Sequence, residues 1–120
     1  MNQSGYFTWY PENGLDLIHP DDIGWFEGGG VQGVVGTIST GTDGWAIFTF
    51  GKTVIRLKPE LVHPCGAPIF SYGQRVQALP PRTLFVGEVR TVKWHFERQE
   101  PFYLVGLKHS RYFEHELGAA

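Results

Sequence analysis

The sequence predicts an all-β protein that is built as two small β-barrels in tandem. Its second half repeats the element order of its first half: a strand, a hairpin, a strand, a tight turn, a strand and a short helical turn. The first copy occupies residues 36–61 and the second residues 87–117. Glycines and prolines stand between the hydrophobic runs, where they act as turn signals. A chance likeness of two meanders remains the alternative to a true duplication.

A proline-rich stretch divides the chain near its middle. Residues 63–68 contain two prolines and a glycine, a composition that disfavours regular structure. We therefore predict an N-terminal lobe at residues 1–66, which holds a hairpin, a short helix and the first barrel. Residues 67–120 form the second barrel in this prediction.

The N-terminal lobe opens with an aromatic, β-prone segment at residues 6–10. Strong turn signals at residues 12–14 follow it, and residues 15–19 are apolar again. We predict that the two segments pair as a hairpin through that turn. Pro20 with two acids directly behind it is typical of the first turn of a helix, so a short helix toward Phe26 is expected.

Turn chemistry also sets the limits of the later strands. Asp43 and Gly44 supply the positive φ that a tight hairpin requires. Pro59 ends the strand before it, because proline has no N–H to donate to a sheet. The strands are predicted at residues 31–40, 45–50, 53–57, 87–96, 101–105 and 109–113.

Composition and charge limit the classes of function. The aromatic content of 15% in 120 residues is enough to fill a core without disulfides, and the single cysteine, Cys65, permits no intrachain disulfide. A reducing cytoplasm is therefore the expected location. No apolar run approaches the ~20 residues that cross a bilayer, so no membrane partner is expected. Residues 1–60 carry a net charge of −4 and residues 61–120 a net charge of +2.

One polar cluster suggests chemistry. His19, Asp21 and Asp22 could hold a divalent metal or act as an acid–base pair. The favoured interpretation is that they cap the short helix, because acids stabilise a helix N-terminus. The histidines show no zinc-site spacing and Cys65 stands alone. We therefore expect no metal, no cofactor, no catalytic residue and no enzymatic activity.

The second lobe resembles the small SH3-like barrels of bacteria. The shared plan is a Gly-x-Val start at Gly87, an aromatic strand that pairs with it, and a closing Tyr-Phe-x-x-x-Leu pattern at residues 112–117. The N-terminal strings WYPENG and LIHPDD resemble those of a family of short bacterial proteins. Together these stretches cover most of the chain. The resemblance implies two tandem SH3-like barrels and brings no catalytic residues with it.

The expected function is protein–protein interaction without catalysis, as an adaptor or a neutraliser of a partner protein. SH3-like barrels commonly bind peptides through aromatic residues on one face, although any single aromatic is more often a core residue. The alternative is a nucleic-acid-binding module that uses the basic second lobe. A metal-binding or enzymatic protein centred on His19, Asp21 and Asp22 is the third hypothesis. The candidate binding residues are Trp25, Tyr72, Trp94, Tyr103, Tyr112, Arg98 and Arg111.

Overall fold

A computed structural model describes residues 3–26 and 29–120 of the chain, and over these residues the protein is all-β. The chain divides into two compact units, Met1–Ala67 and Pro68–Ala120. Every helix in the described part is a short 3₁₀ helix, and none of them is long and apolar enough to cross a membrane.

The strands of the first unit are β1 (Gln3–Trp9), β2 (Val31–Thr40), β3 (Ala46–Phe50), β4 (Thr53–Leu57) and β5 (Val62–Pro64). The strands of the second unit are β6 (Arg75–Ala78), β7 (Val86–His95), β8 (Glu100–Val105), β9 (Ser110–Phe113) and β10 (Leu117–Ala119). The 3₁₀ helices are Pro11–Asn13, Leu15–Leu17, Pro20–Phe26, Pro59–Leu61 and Glu114–Glu116.

Both units follow the same strand order. In the first unit, antiparallel pairing runs β5–β1–β2–β3–β4. In the second unit it runs β10–β6–β7–β8–β9. In each unit a 3₁₀ turn joins the fourth strand to the fifth. Buried Leu61 is the last residue of this turn in the first unit, and buried Leu117 directly follows it in the second.

An aromatic cluster fills the core of the first unit. Phe7 and Phe48 are fully buried, and their rings meet edge to face with centroids 4.9 Å apart. Trp9 and Phe26 form a second edge-to-face pair, with centroids 5.1 Å apart. Alternate residues of a strand point to the same side of a sheet, so Phe7 and Trp9 both reach this core from β1. Such rings contribute most of the apolar surface that a unit of this size buries.

The predicted N-terminal hairpin is wrong. Residues 15–17 form a 3₁₀ turn, and β1 pairs instead with β2 on one edge and β5 on the other. Both edges of β1 are therefore occupied by strands that lie far away in sequence. The turn signals at residues 12–14 are satisfied locally, because Asn13 ends a 3₁₀ turn and Gly14 has a φ of 88°. The short helix toward Phe26 is confirmed, as a 3₁₀ helix.

Candidate functional site

The cluster of His19, Asp21 and Asp22 is part of the framework of the first unit. The backbone N–H of His19 donates to the carbonyl oxygen of Arg56 in β4 at 3.1 Å. The Asp22 carboxylate accepts both the backbone N–H and the Nε–H of Arg56, each at 2.9 Å. This segment therefore satisfies the backbone groups on the outer edge of β4, which would otherwise stay open to pairing with another chain.

The capping role predicted for this cluster is confirmed at His19, whose Nδ1 accepts the backbone N–H of Asp21 at 3.1 Å. Burial acts to raise the pKa of Asp22, but the hydrogen bonds from Arg56 and the nearby positive charge outweigh it and hold the pKa below its ordinary value. Among residues 3–26 and 29–120, no group of three or more His, Cys, Asp or Glu side chains is placed to hold a metal ion.

The outer side of the second unit has a different composition. Phe102 in β8 lies directly opposite Phe113 in β9, and Lys93 in β7 lies opposite Phe102 on its other side. Arg111 stands two residues before Phe113 and so shares its side of the sheet. The intervening residues, such as Tyr103, point into the core. The result is a row of two aromatic rings that is flanked by cations.

Two arginines stack on these rings. The guanidinium carbon of Arg111 lies 4.6 Å from the centroid of Phe102, and that of Arg98 lies 4.0 Å from the centroid of Phe113. Cation–π contacts of this kind hold a flexible side chain in one place. We call Arg98, Arg111, Phe102 and Phe113 the arginine–aromatic face.

A shallow cleft of about 420 Å³ follows the arginine–aromatic face. His95 packs edge to face against Phe113 with centroids 5.3 Å apart, and the ring of His115 lies parallel to Phe113 at 6.2 Å. The Nδ1 atom of His95 also accepts the backbone N–H of Arg98 at 3.1 Å, which fixes the hairpin tip that carries this arginine. The other lining residues are Arg82, Tyr112 and Glu116.

An ion pair closes one side of the cleft. Arg82 donates to Glu116 at 2.8 Å and to the carbonyl oxygen of Arg111 at 3.3 Å, while its guanidinium lies over the ring of Tyr112. Glu116 also accepts the backbone N–H of Phe113 at 2.8 Å. That hydrogen bond and the contact with Arg82 lower the pKa of Glu116 despite its partial burial. The outer edge of β9 is thus covered by charged side chains, as the outer edge of β4 is.

The seven predicted binding residues do not form one site in the structure, and they differ in exposure. Arg98 and Arg111 are exposed and lie on one face, as a binding role requires. Trp25 belongs to the first unit, is 42% exposed and packs edge to face on Phe26 and Phe50. Tyr72 and Trp94 are half-buried. The Tyr72 hydroxyl donates to the carbonyl oxygen of Val92 at 3.2 Å, and burial raises its pKa to about 12.

Tyr103 and Tyr112 lie in the core and not on the expected aromatic face. Tyr103 is fully buried; its hydroxyl donates to Glu114 at 2.6 Å and accepts the backbone N–H of Ile69 at 3.2 Å. Burial and the hydrogen bond to Glu114 raise the pKa of Tyr103. Tyr112 is 6% exposed beneath Arg82. Both tyrosines occupy the inward positions of their strands, because strand side chains alternate between the two faces.

Sequence reasoning missed Phe102 and Phe113 as members of the face. The chain gives no clear signal for them, because Phe102 and Leu104 are as apolar as Tyr103 and Val105. In the structure Tyr103 and Val105 are buried, so position 102 points outward. Aromatic residues at both 102 and 103 mean that type alone cannot decide between them. Strand phase decides it.

The chain belongs to the DUF6960 family, a family of unknown function, whose model matches residues 1–117. No curated protein and no solved structure matches the chain. The family match covers the strands of both units up to Leu117 and assigns no activity, so the functional argument has to come from the geometry.

Proposed function

We propose that the chain is a non-enzymatic protein-binding module made of two SH3-like barrels, acting in the bacterial cytoplasm as an adaptor or as a neutraliser of a partner protein. The barrel assignment is supported by the strand order common to both units and by the 3₁₀ turn before each fifth strand. The location is supported by Cys65, the single cysteine, which is free in a chain without disulfides.

One observation carries the proposal: the second unit displays two stacked, exposed guanidiniums, Arg98 and Arg111, on one face. The N–H groups of a guanidinium lie in its own plane, so contact with a ring through its face leaves them able to donate to a ligand. This edge matches the two oxygens of a carboxylate and forms paired, charge-assisted hydrogen bonds with them. Holding the side chains in place beforehand lowers the entropy cost of binding.

The ligand that fits this face best is an acidic segment of a protein. Lys93 adds a third cation beside Phe102, and residues 61–120 carry a net charge of +2. Complementary charge of this kind speeds encounter and selects the partner more than it adds affinity. In β3 and β4 of the first unit, the outward residues Ile47, Thr49, Val54 and Arg56 include no aromatic ring. Beside these strands a lysine and not an arginine lies over a ring, with Nζ of Lys58 at 4.4 Å from the centroid of Trp45.

Single-stranded nucleic acid is the second candidate, because basic and aromatic residues also alternate in such binding sites. Bases bind those sites by stacking on open aromatic faces. Here Arg98 covers a face of Phe113 and Arg111 covers a face of Phe102. The covered rings favour a carboxylate ligand over a stacked base.

Replacing Arg111 with lysine should weaken binding of a labelled oligoglutamate peptide by about five- to thirtyfold. Lysine keeps the charge but loses the flat stack and the paired hydrogen bonds, a loss of about 1–2 kcal/mol. Fluorescence anisotropy measures the affinity, and circular dichroism verifies that the variant stays folded.

Arg90→Lys is the matched control, because Arg90 is an exposed arginine of β7 that lies outside the cleft. It should leave the affinity nearly unchanged. Unchanged affinity in both variants would mean that only net charge matters, and equal losses in both would mean that the cleft is not the binding site; either result would contradict the proposal. Tighter binding of an oligothymidine of equal charge, with a steep salt dependence, would favour nucleic acid instead.

A further inference from the structure

Three arginines line the cleft, and they differ in how much of each guanidinium is already engaged. Arg82 holds Glu116 at 2.8 Å and the backbone of Arg111 at 3.3 Å, so it belongs to the framework that covers the edge of β9. Its donors are committed to the fold. The two remaining guanidiniums, Arg98 and Arg111, carry the capacity to bind a ligand.

Arg111 has no acidic partner within the part of the chain that the structure describes. Its guanidinium carbon lies over the ring of Phe102, and the side chain is exposed. The donors at the edge of its guanidinium are therefore hydrated in the free protein. A carboxylate can replace that water without displacing a protein group.

Arg98 is in a different state. Its Nε atom lies 3.3 Å from Oε2 of Glu100, across the turn at the tip of the β7–β8 hairpin. Glu100 stands two residues before Phe102 in β8, so its side chain emerges on the same side of the sheet. Glu100 thus places a carboxylate of the protein itself where a ligand carboxylate would bind.

We infer that Glu100 is an internal competitor that occupies Arg98, so that Arg98 binds a ligand only when a neighbouring carboxylate of that ligand is already held at Arg111. This inference rests on the proposed binding of an acidic segment. The first carboxylate binds Arg111, which is open. The second binds Arg98 and displaces Glu100, and a ligand with one carboxylate binds Arg111 alone.

The Arg98–Glu100 ion pair is weak enough for a ligand carboxylate to displace it. The Arg98 side chain is 47% exposed and that of Glu100 is 33% exposed. Ion pairs at such exposed positions change an equilibrium by at most about fivefold, because water and salt screen them. An incoming carboxylate can therefore displace Glu100, yet the lost ion pair still lowers the affinity severalfold.

Replacing Glu100 with glutamine should tighten binding of the labelled oligoglutamate about three- to fivefold, the equivalent of that ion pair. Glutamine keeps the shape of the side chain and removes its charge. Glu97→Gln is the matched control, because Glu97 lies at the same hairpin tip and has no ion pair among the described residues. It makes the same change in net charge and should alter the affinity much less.

A double-mutant cycle tests the mechanism directly. In an Arg98→Ala background, Glu100→Gln should no longer improve binding beyond the change that Glu97→Gln makes. Equal gains from the two glutamine variants in the wild-type background would overturn the inference and leave the proposed function standing. Absence of oligoglutamate binding to every variant would overturn both. Salt-sensitive self-association in sedimentation, lost on Arg111→Lys, would assign the face to a second copy of the chain and also overturn the inference.

Discussion

Replacing Phe48 with alanine is expected to lower the free energy of unfolding by about 3–5 kcal/mol. Phe48 is fully buried in the first unit, where its ring meets Phe7 edge to face and lies 5.8 Å from the ring of Phe50. The ring also covers Gly36, where a Cβ would collide with it and with the carbonyl oxygen of Thr49. Strands packed this closely cannot move together to fill the cavity, so the cost lies at the upper end for such substitutions.

Urea denaturation followed by tryptophan fluorescence measures this loss, since three of the four tryptophans lie in the first unit. A small domain has only about 5–15 kcal/mol of stability, so the variant should unfold at much lower urea concentration. Phe48→Leu keeps most of the volume and should cost less than about half as much. Leu15→Ala, at a side chain that is 53% exposed, should have little effect. A loss at Phe48 as small as that at Leu15 would contradict the packing described.

The strand plan could be predicted from sequence because its signals are local. Turn residues such as Asp43 and Gly44 limit the strands, and the central hairpin of the second unit, with β7 at Val86–His95 and β8 at Glu100–Val105, falls within about one residue of the prediction. Pairing partners are not local. The partners of β1 lie some twenty to sixty residues away, and no turn signal at residues 12–14 specifies them.

The arginine–aromatic face could be predicted only in part, for a related reason. Arg98 and Arg111 stand out in sequence as exposed cations, and the structure places both on one face. Which aromatics accompany them depends on strand phase, where a shift of one residue exchanges the two sides of a sheet. Residue type does not separate Phe102 from Tyr103, and only the phase of β8 places Phe102 outward. The Arg98–Glu100 contact depends on side-chain placement at a hairpin tip, which residue order alone does not determine.

Replacing Asp22 with asparagine is expected to cost about 1–2 kcal/mol near neutral pH, after allowance for the partial exposure of its partner Arg56. Asparagine keeps one oxygen for the backbone N–H of Arg56 but loses the charge that holds the guanidinium at 2.9 Å. This side chain joins Pro20–Phe26 to the outer edge of β4. Its loss should therefore loosen that edge and speed hydrogen exchange at the backbone N–H of Arg56.

The pH dependence of the same variant follows from the lowered pKa of Asp22 in the folded protein. A carboxyl whose pKa falls on folding contributes stability above its ordinary pKa and loses that contribution as the pH drops through the folded value. On acidification the free energy of unfolding of the wild-type protein should therefore fall more than that of the Asp22→Asn variant. The two free energies should converge at low pH. Asp21→Asn is the control, because Asp21 is 74% exposed and 3.7 Å from Arg56. If the free energies of unfolding of the wild type and Asp22→Asn fell in parallel with pH and kept their difference at low pH, the charge of Asp22 would not hold this edge.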